Sequence, residues 1–241
     1  MMQKSDRFKA IVIGLGETGG PLYGVLVSAY PGQIFGYDIR RGQELLKNLA
    51  NAYEFLNICL PYGPGFLRAV RNYQERLKPK LTIVHSTVPV GTTAKLKAAV
   101  HSPILGRHKR MAEELKEYVK WVGGSKANEA ALFLSGAGMR CRAVTTSEET
   151  ELLKLTCLAK YGLSLAFTDF QERLCARYKV PFRHVIEWDK NYNEHVAHAY
   201  RRPILIPPKD GKIGGHCVVP GSRILNSQFP NPMLKEILRH G

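Results

Sequence analysis

The sequence predicts an α/β fold, a mostly parallel sheet followed by a long central helix and a small helical and loop region. Three observations lead there. Short apolar runs rich in β-branched residues, expected of strands buried on both faces, alternate with helix-compatible stretches through residues 1–146. A glycine-rich turn follows the first of these runs without a break. From Ser147 to about Tyr178 there is no proline and one glycine, Gly162, a span well beyond the mean helix of about 11–12 residues.

The first apolar run, residues 8–13, leads straight into Gly14-Leu15-Gly16-Glu17-Thr18-Gly19-Gly20, which matches G-x-G-x-x-G. Each glycine has a physical task. Gly14 allows a tight turn, Gly16 lets backbone N–H groups approach a pyrophosphate, and Gly19 lets the next helix pack on the strand. Leu15, Glu17 and Thr18 complete the cofactor-facing turn. A helix over residues 21–29 and a strand over 34–37 follow, and the strand ends at Asp38, nineteen residues after Gly19. An acid there accepts hydrogen bonds from the adenosine ribose. Strand, turn, helix, strand and acid in register predict a Rossmann-type dinucleotide-binding unit. Asp38 favours NAD; Arg40 and Arg41 stand close enough to receive a 2′-phosphate, so NADP stays open.

The alternation continues with a helix over 41–50, a strand over 55–60 stopped by Pro61, and a helix over 65–77 closed by Pro79. A strand over 81–85 then ends in Ser86-Thr87-Val88-Pro89. Ligands bind at the carboxyl ends of such strands, so Leu60, Pro61, Ser86 and Thr87 are expected to face the nicotinamide half. The plainer role for Ser86 and Thr87 is capping. Helices near 94–100, 111–118 and 128–134, with strands over 119–122 and 141–145, complete a first domain over residues 1–146.

Residues 147–241 form the second region. Ser147-Glu148-Glu149-Thr150 reads as an N-cap with acids in the first turn. Leu152, Leu155, Leu158, Leu165, Phe167 and Leu174 recur at helical spacing, which predicts a packing face and a homodimer through the long helix. Lys154 stands among these leucines, where desolvation favours a neutral amine suited to catalysis; an isolated helix lysine is more often a snorkelling surface residue. Pro181 ends the helix, a shorter one covers 183–190, and a proline-rich connection over 203–208 leads to a loop over 210–220. A last short helix is expected over 233–239. In the loop Gly211, Gly214 and Gly215 permit close approach of backbone to ligand, Lys212 adds charge, and Cys217 directly follows Gly214-Gly215-His216 as a candidate nucleophile. Its plainer reading is an inert, buried thiol.

Composition narrows the classes. Five cysteines without a C-x-x-C pair argue against a disulfide framework and for a reducing cytoplasm. No apolar run approaches the roughly 20 residues of a membrane helix, and residues 1–9 lack the pattern of a signal peptide. Glu194, His195 and His198 lack the rest of a ligand set, so no metal is expected. The outlier is a formal charge of +15, which attracts polyanions. Its clusters at Arg107-His108-Lys109-Arg110, Arg140 with Arg142, and Arg201-Arg202 do not alternate with aromatics as on a single-strand binding surface. A phosphorylated small ligand is therefore expected ahead of nucleic acid.

Four segments occur in order over nearly the whole chain: Gly14-Leu15-Gly16, Ser86-Thr87-Val88-Pro89-Val90-Gly91-Thr92-Thr93, Glu151-Leu152-Leu153-Lys154 and Gly214-Gly215-His216-Cys217. Together they resemble the UDP-glucose/GDP-mannose dehydrogenase family, especially its UDP-N-acetylmannosamine dehydrogenase branch. The resemblance implies an NAD-dependent dehydrogenase acting on CH–OH, which oxidises the terminal alcohol of a nucleotide sugar to a carboxylate in two steps. It implies that Cys217 captures the aldehyde, Lys154 stabilises oxyanion charge, and Thr87 helps to position water. Gly211, Lys212, Gly214 and Gly215 would form the loop under the sugar, and the long helix would form the dimer.

The departures are as specific. Leu158 stands where the family carries an asparagine, and Gly221 where it carries an aspartate that is a candidate for activating the hydrolytic water. Ser102-Pro103-Ile104-Leu105 replaces an N-P-E-F-type segment that supplies a glutamate. The family's C-terminal nucleotide-sugar domain has no counterpart, as expected of a truncated form. A single oxyanion contact is typically worth about 2.7–4 kcal/mol, so these losses bear on the second oxidation more than on hydride transfer. Two alternatives remain: a β-hydroxyacid dehydrogenase that uses Lys154 as acid and base without Cys217, and a non-catalytic NAD- or polyanion-binding homologue.

Overall fold

The computed structural model describes residues 8–41 and 52–241. The helix expected over 41–50 lies outside them except for Arg41, which closes the 3₁₀ turn Ile39–Arg41. Two compact units divide the chain, Met1–Lys154 and Leu155–Gly241.

The first unit holds seven strands: β1 Ala10–Ile13, β2 Ile34–Tyr37, β3 Phe55–Ile58, β4 Leu81–Val84, β5 Ala99–His101, β6 Val119–Gly123 and β7 Arg140–Val144. Their order is β2-β1-β3-β4-β5-β6-β7. Neighbours run parallel except β5 and β6, which meet antiparallel at His101 and Gly123. Every residue of β1, β3 and β4 is buried, as their largely apolar composition requires of strands covered on both faces. The covering helices are α1 Gly19–Ala29, α2 Phe66–Leu77, α3 Met111–Glu117 and α4 Ala127–Gly136. Apolar packing falls into two clusters, one centred on Leu22, Leu26, Val122 and Leu134, the other on Ile11, Leu56, Val70 and Leu77. The fold is a Rossmann-type α/β sheet, as the sequence predicts.

One first-unit element differs from expectation. Residues 94–100 do not form a helix: a 3₁₀ turn, Thr93–Lys95, is followed by β5. Ala98 takes φ +42°, which breaks any helix, and residues 99–101 then pair with β4. Alanine and lysine favour a helix locally, but strand pairing overrides that weak preference.

Helix α5, Ser147–Arg177, runs from the first unit into the second. The second unit adds α6 Arg183–His195, α7 Val218–Gln228 and α8 Pro232–Arg239. Helix α6 continues past the expected end at 190. Helix α7 occupies residues that the sequence reading left without regular structure; Pro220 obscured it, although proline is tolerated in a helix's first turn. The single glycine of α5 marks where it meets these helices. A Cβ at Gly162 would lie 2.7 Å from Val218 Cγ1 and 2.9 Å from Ile237 Cγ2. Helix α8 is capped by Asn231, whose side chain accepts the Met233 N–H, with Pro232 at its start.

Candidate functional site

The turn after β1 lies where β2 flanks β1 on one side and β3 on the other, the point at which open α/β sheets bind ligands. Gly14 has φ +88°, and a Cβ there would come within 2.6 Å of the Cys59 carbonyl oxygen. A Cβ at Gly19 would lie 1.8 Å from the Gly14 carbonyl oxygen. The packing of turn, helix and strand end demands both glycines. Gly16 differs: its Cβ would meet only Arg40 Nη2, at 3.7 Å. No protein atom requires a glycine there, so the cleared approach is available to a ligand. The turn enters α1, whose N-cap Thr18 makes no side-chain capping bond. Within its first turn the Gly20 N–H donates to the Gly16 carbonyl at 2.9 Å and the Leu22 N–H to the Thr18 carbonyl at 3.3 Å, and Pro21 has no N–H. An anion here would therefore be met by the turn that precedes the helix and by Gly19.

Asp38, buried at the end of β2, closes this corner. Its Oδ2 accepts the Leu15 N–H at 2.8 Å, and its Oδ1 accepts the Arg40 N–H at 3.0 Å. The Arg40 guanidinium adds two further bonds, Nε to Oδ1 and Nη2 to Oδ2, both 3.0 Å. These bonds, Arg40's first, hold the carboxyl far below the usual carboxylate range. Arg40 is thus Asp38's partner here. The exposed Glu17 carboxylate lies 3.3 Å from His108 Nδ1. Leu60 is half-buried beside Gly14, and Pro61 is exposed.

Ser86 and Thr87 follow β4, Ser86 buried and Thr87 half-buried. The segment after them is tied to α5 by Glu151, whose carboxylate accepts the N–H groups of Gly91 at 2.6 Å and Thr93 at 2.8 Å. Burial pushes that carboxyl up. Three residues on, Lys154 is partly buried and its Nζ donates to the Ile104 carbonyl at 2.9 Å. Two of the quoted sequence segments, around Ser86 and around Glu151, are therefore locked together.

Around them lies a buried polar group that the sequence reading missed. Lys120, within β6, is buried, and its Nζ donates to the carbonyls of Ser102 at 2.8 Å and Pro103 at 3.1 Å. With Lys154, two lysines remote in sequence hold three successive carbonyls, 102 to 104. Burial pulls Lys120 down to about 7, and the Lys154 charge acts in the same direction. His85 lies between Asn57 Oδ1 at 3.0 Å and the Ser102 carbonyl at 2.7 Å. His101 lies between Thr150 Oγ1 at 2.8 Å and the Ser86 carbonyl at 3.1 Å. Desolvation lowers both histidines, His101 to about 3, so both rings are neutral near pH 7. The visible signal was polar residues in otherwise apolar strands.

In the second unit Cys217 is the N-cap of α7 and is half-buried. Before it, Gly214 and Gly215 have nothing within 4 Å of a built Cβ, and Gly215 takes φ +86°. The loop is anchored further back: Ile213 N–H donates to the His240 carbonyl at 2.7 Å, and His240 Nδ1 lies 2.8 Å from the Gly211 carbonyl. Lys212 is exposed. Leu158 and Gly221 meet here, since a Cβ at Gly221 would lie 2.7 Å from Leu158 Cδ1. The leucine fills the space beside position 221, and the pair is packed and apolar. All five cysteines are free thiols. Among the described residues no cluster of three or more His, Cys, Asp or Glu side chains can hold a metal, and no helix is long and apolar enough to cross a membrane.

No protein-family model matches the chain, and no curated protein matches it by sequence. Solved structures do match. A UDP-D-ManNAc dehydrogenase from Pyrococcus horikoshii superposes with TM-score 0.79 at 22% identity, over 95% of this chain and 67% of that one. A UDP-glucose dehydrogenase from Pyrobaculum islandicum gives 0.72 at 17%, over 99% and 69%. The 3-hydroxyisobutyrate dehydrogenase of Mycobacterium tuberculosis gives 0.72 at 16%, over 96% and 91%. The likeness is one of fold. The chain spans about two thirds of the length of the UDP-sugar dehydrogenases it matches.

Proposed function

We propose that this chain is an NAD-dependent oxidoreductase that moves a hydride between the cofactor and an alcohol carbon of a small substrate, a nucleotide sugar or other phosphorylated alcohol. The observation that carries the reading is Gly16, cleared of side chain although no protein neighbour demands it, beside an uncapped helix start and an acid at the next strand end. The N–H groups of the turn over 16–19 would hold the pyrophosphate, and Asp38 would take the adenosine ribose with Arg40 swinging from the carboxylate to the cofactor. Leu60, Pro61, Ser86 and Thr87 would border the nicotinamide. NAD, when bound, supplies the hydride acceptor. Lys154, fixed by Ile104, would hold the proton released from the alcohol.

The structural neighbours whose names are UDP-sugar dehydrogenases and 3-hydroxyisobutyrate dehydrogenase support an alcohol substrate. Leu158 packed at Gly221 makes the second oxidation the slower one, because no carboxylate at position 221 activates the water that releases the product from the thiol. On this reading residues 1–146 form the cofactor domain, and residues 147–241 serve substrate and dimer. Exposed apolar side chains on α5 (Tyr161, Phe167, Phe170, Leu174) would pair with a second copy in a reducing cytoplasm. Gly211, Lys212, Gly214 and Gly215 would line the substrate, with Cys217 as the thiol that adds to a carbonyl.

Isothermal titration tests the cofactor: NAD binds the parent, and Gly16→Val weakens it at least about tenfold with an unchanged melting temperature. Absence of binding at millimolar NAD defeats the proposal. NADH formation with UDP-sugars and with β-hydroxyacids, in parent and Cys217→Ala, separates the chemistries. A β-hydroxyacid dehydrogenase, favoured by the near-full coverage of such an enzyme, works equally well without the thiol.

A further inference from the structure

The charge excess has a focus away from the cofactor turn. At the other end of the strands, where β4 and β5 begin, a cavity of about 540 Å³ is lined by Arg71, Lys78, Lys80, Lys95 and Lys97, with Glu75 the one acid among the described residues. The cofactor turn follows the carboxyl end of β1, and β1, β3, β4 and β5 are parallel, so the two sites lie at opposite ends of the strands.

The cavity has two built walls. One is the last turns of α2, continued by Lys78, which takes φ +46°. The other is the segment from Lys95 to Ala98, and Ala98 takes φ +42°. Side chains of the first wall hold the backbone of the second. Gln74 Nε2 donates to the Lys97 carbonyl at 2.7 Å and to Thr82 Oγ1 at 2.8 Å, and Arg71 Nη2 donates to the Lys95 carbonyl at 3.1 Å. The lysine side chains stand out from this stapled frame. Lys80 is already bonded to the Glu54 carboxylate. A cation at a helix C-terminus needs no ligand to explain it, because the helix dipole favours it there. That covers Lys78, the residue that ends the helix; Lys95 and Lys97 come from the facing wall. Like charges gathered on both sides of one concavity repel each other, and an anion between them removes that cost.

We propose that this cavity is a second ligand site, for a small molecule carrying two or more phosphates. Its volume falls in the range of about 300–1,000 Å³ of small-molecule sites. Cations facing one another across a pocket fit a compact polyphosphate better than a long strand, which binds along a groove with stacking aromatics, and among the described residues no aromatic lines this cavity. The proposal stands whether or not the chain binds NAD.

Isothermal titration with inorganic tripolyphosphate at physiological ionic strength tests it on four proteins. These are the parent, Lys78→Gln/Lys97→Gln in the cavity, Lys116→Gln/Lys126→Gln as a control of equal charge elsewhere, and Gly16→Val at the cofactor turn. One tripolyphosphate is expected per chain, weakened at least about tenfold by the cavity pair and within about twofold of the parent in the other two. Gly16→Val separates the two sites: if it alone abolishes tripolyphosphate binding, the anion sits at the cofactor turn and the cavity proposal fails. Equal loss in the charge-matched control means a general field and also overturns it, as does no binding by the parent. A single-stranded oligonucleotide is titrated in parallel; tighter, strongly salt-dependent binding of the strand through Lys78 and Lys97 assigns the patch to nucleic acid instead.

Discussion

The turn at residues 14–19 and the loop at residues 211–215 are both rich in glycine, yet their surroundings are opposite. A Cβ at Gly14 or Gly19 runs into backbone at 2.6 or 1.8 Å, whereas Gly214 and Gly215 face open space. The first region is fixed by its own packing and backed by buried polar groups. The second is held behind the glycines, through Gly211 and Ile213, and its tip touches nothing that dictates glycine. A glycine required by its neighbours says little about ligands, since the fold alone explains it. The informative ones are those that packing does not explain: Gly16 in the turn, and Gly214 in the loop.

The comparison is sharpened most by the change with the largest expected effect. Gly19→Ala forces a methyl onto the Gly14 carbonyl, and overpacking at rigid backbone should destabilise by about 3 kcal/mol. A urea melt that moves by less than about 1 kcal/mol would mean the turn yields and the contrast is weaker than drawn.

The buried polar groups behind the turn give the next test, through pH. Lys120 is lowered to about 7 in the folded chain, so between about pH 7 and 10.4 the unfolded state binds more protons. Its contribution therefore makes stability rise with pH across that window, by an amount on the order of a few kcal/mol. His101, lowered to about 3, acts with the same sign lower down: its contribution is complete above about pH 6.5 and is lost as pH falls. Lys120→Met should flatten the alkaline rise and make the acid limb shallower, since the Lys120 charge no longer opposes protonation of His101; melts across pH that superpose for parent and variant would refute the assignment.

A smaller effect is expected at Leu158 and Gly221, where only a flexible side chain opposes a Cβ. Gly221→Ala alone should cost about 1–2 kcal/mol. In the Leu158→Ala background most of that cost should vanish, giving a coupling of about 1 kcal/mol in a double-mutant cycle. Additive changes would show that the two positions do not share one space. Smallest of all, Gly214→Ala should leave stability within about 0.5 kcal/mol of the parent, and any loss of turnover would then belong to the loop's ligand contacts. A thermal melt and a substrate assay on the same preparation separate the two.

Much of the fold was legible because buried parallel strands announce themselves as apolar runs, and β1, β3 and β4 are buried at every position. The glycine turn was legible because its geometry admits few sequences. Two elements were not. Residues 94–100 carry helix-favouring alanines and lysines, but β4 offers a pairing edge that local preference cannot register. Helix α7 was hidden by Pro220, which stands in the one helical turn that accepts it. At the site, Lys154 stood out in the sequence through its place among leucines and through the family resemblance, while its anchor on Ile104 and the parallel grip of Lys120 depend on contacts across 50 and 18 positions of sequence.

The sequence by itself determined most strands and helices of the first unit, the tight turn after β1 and the acid that answers it, because these rest on periodicity and on backbone conformations that favour glycine. The tertiary structure decided which glycines are structural, that Arg40 holds Asp38, that Leu158 fills the space beside Gly221, and that three carbonyls share two lysines. Those outcomes depend on distances between residues far apart in the chain, and such distances are set by packing.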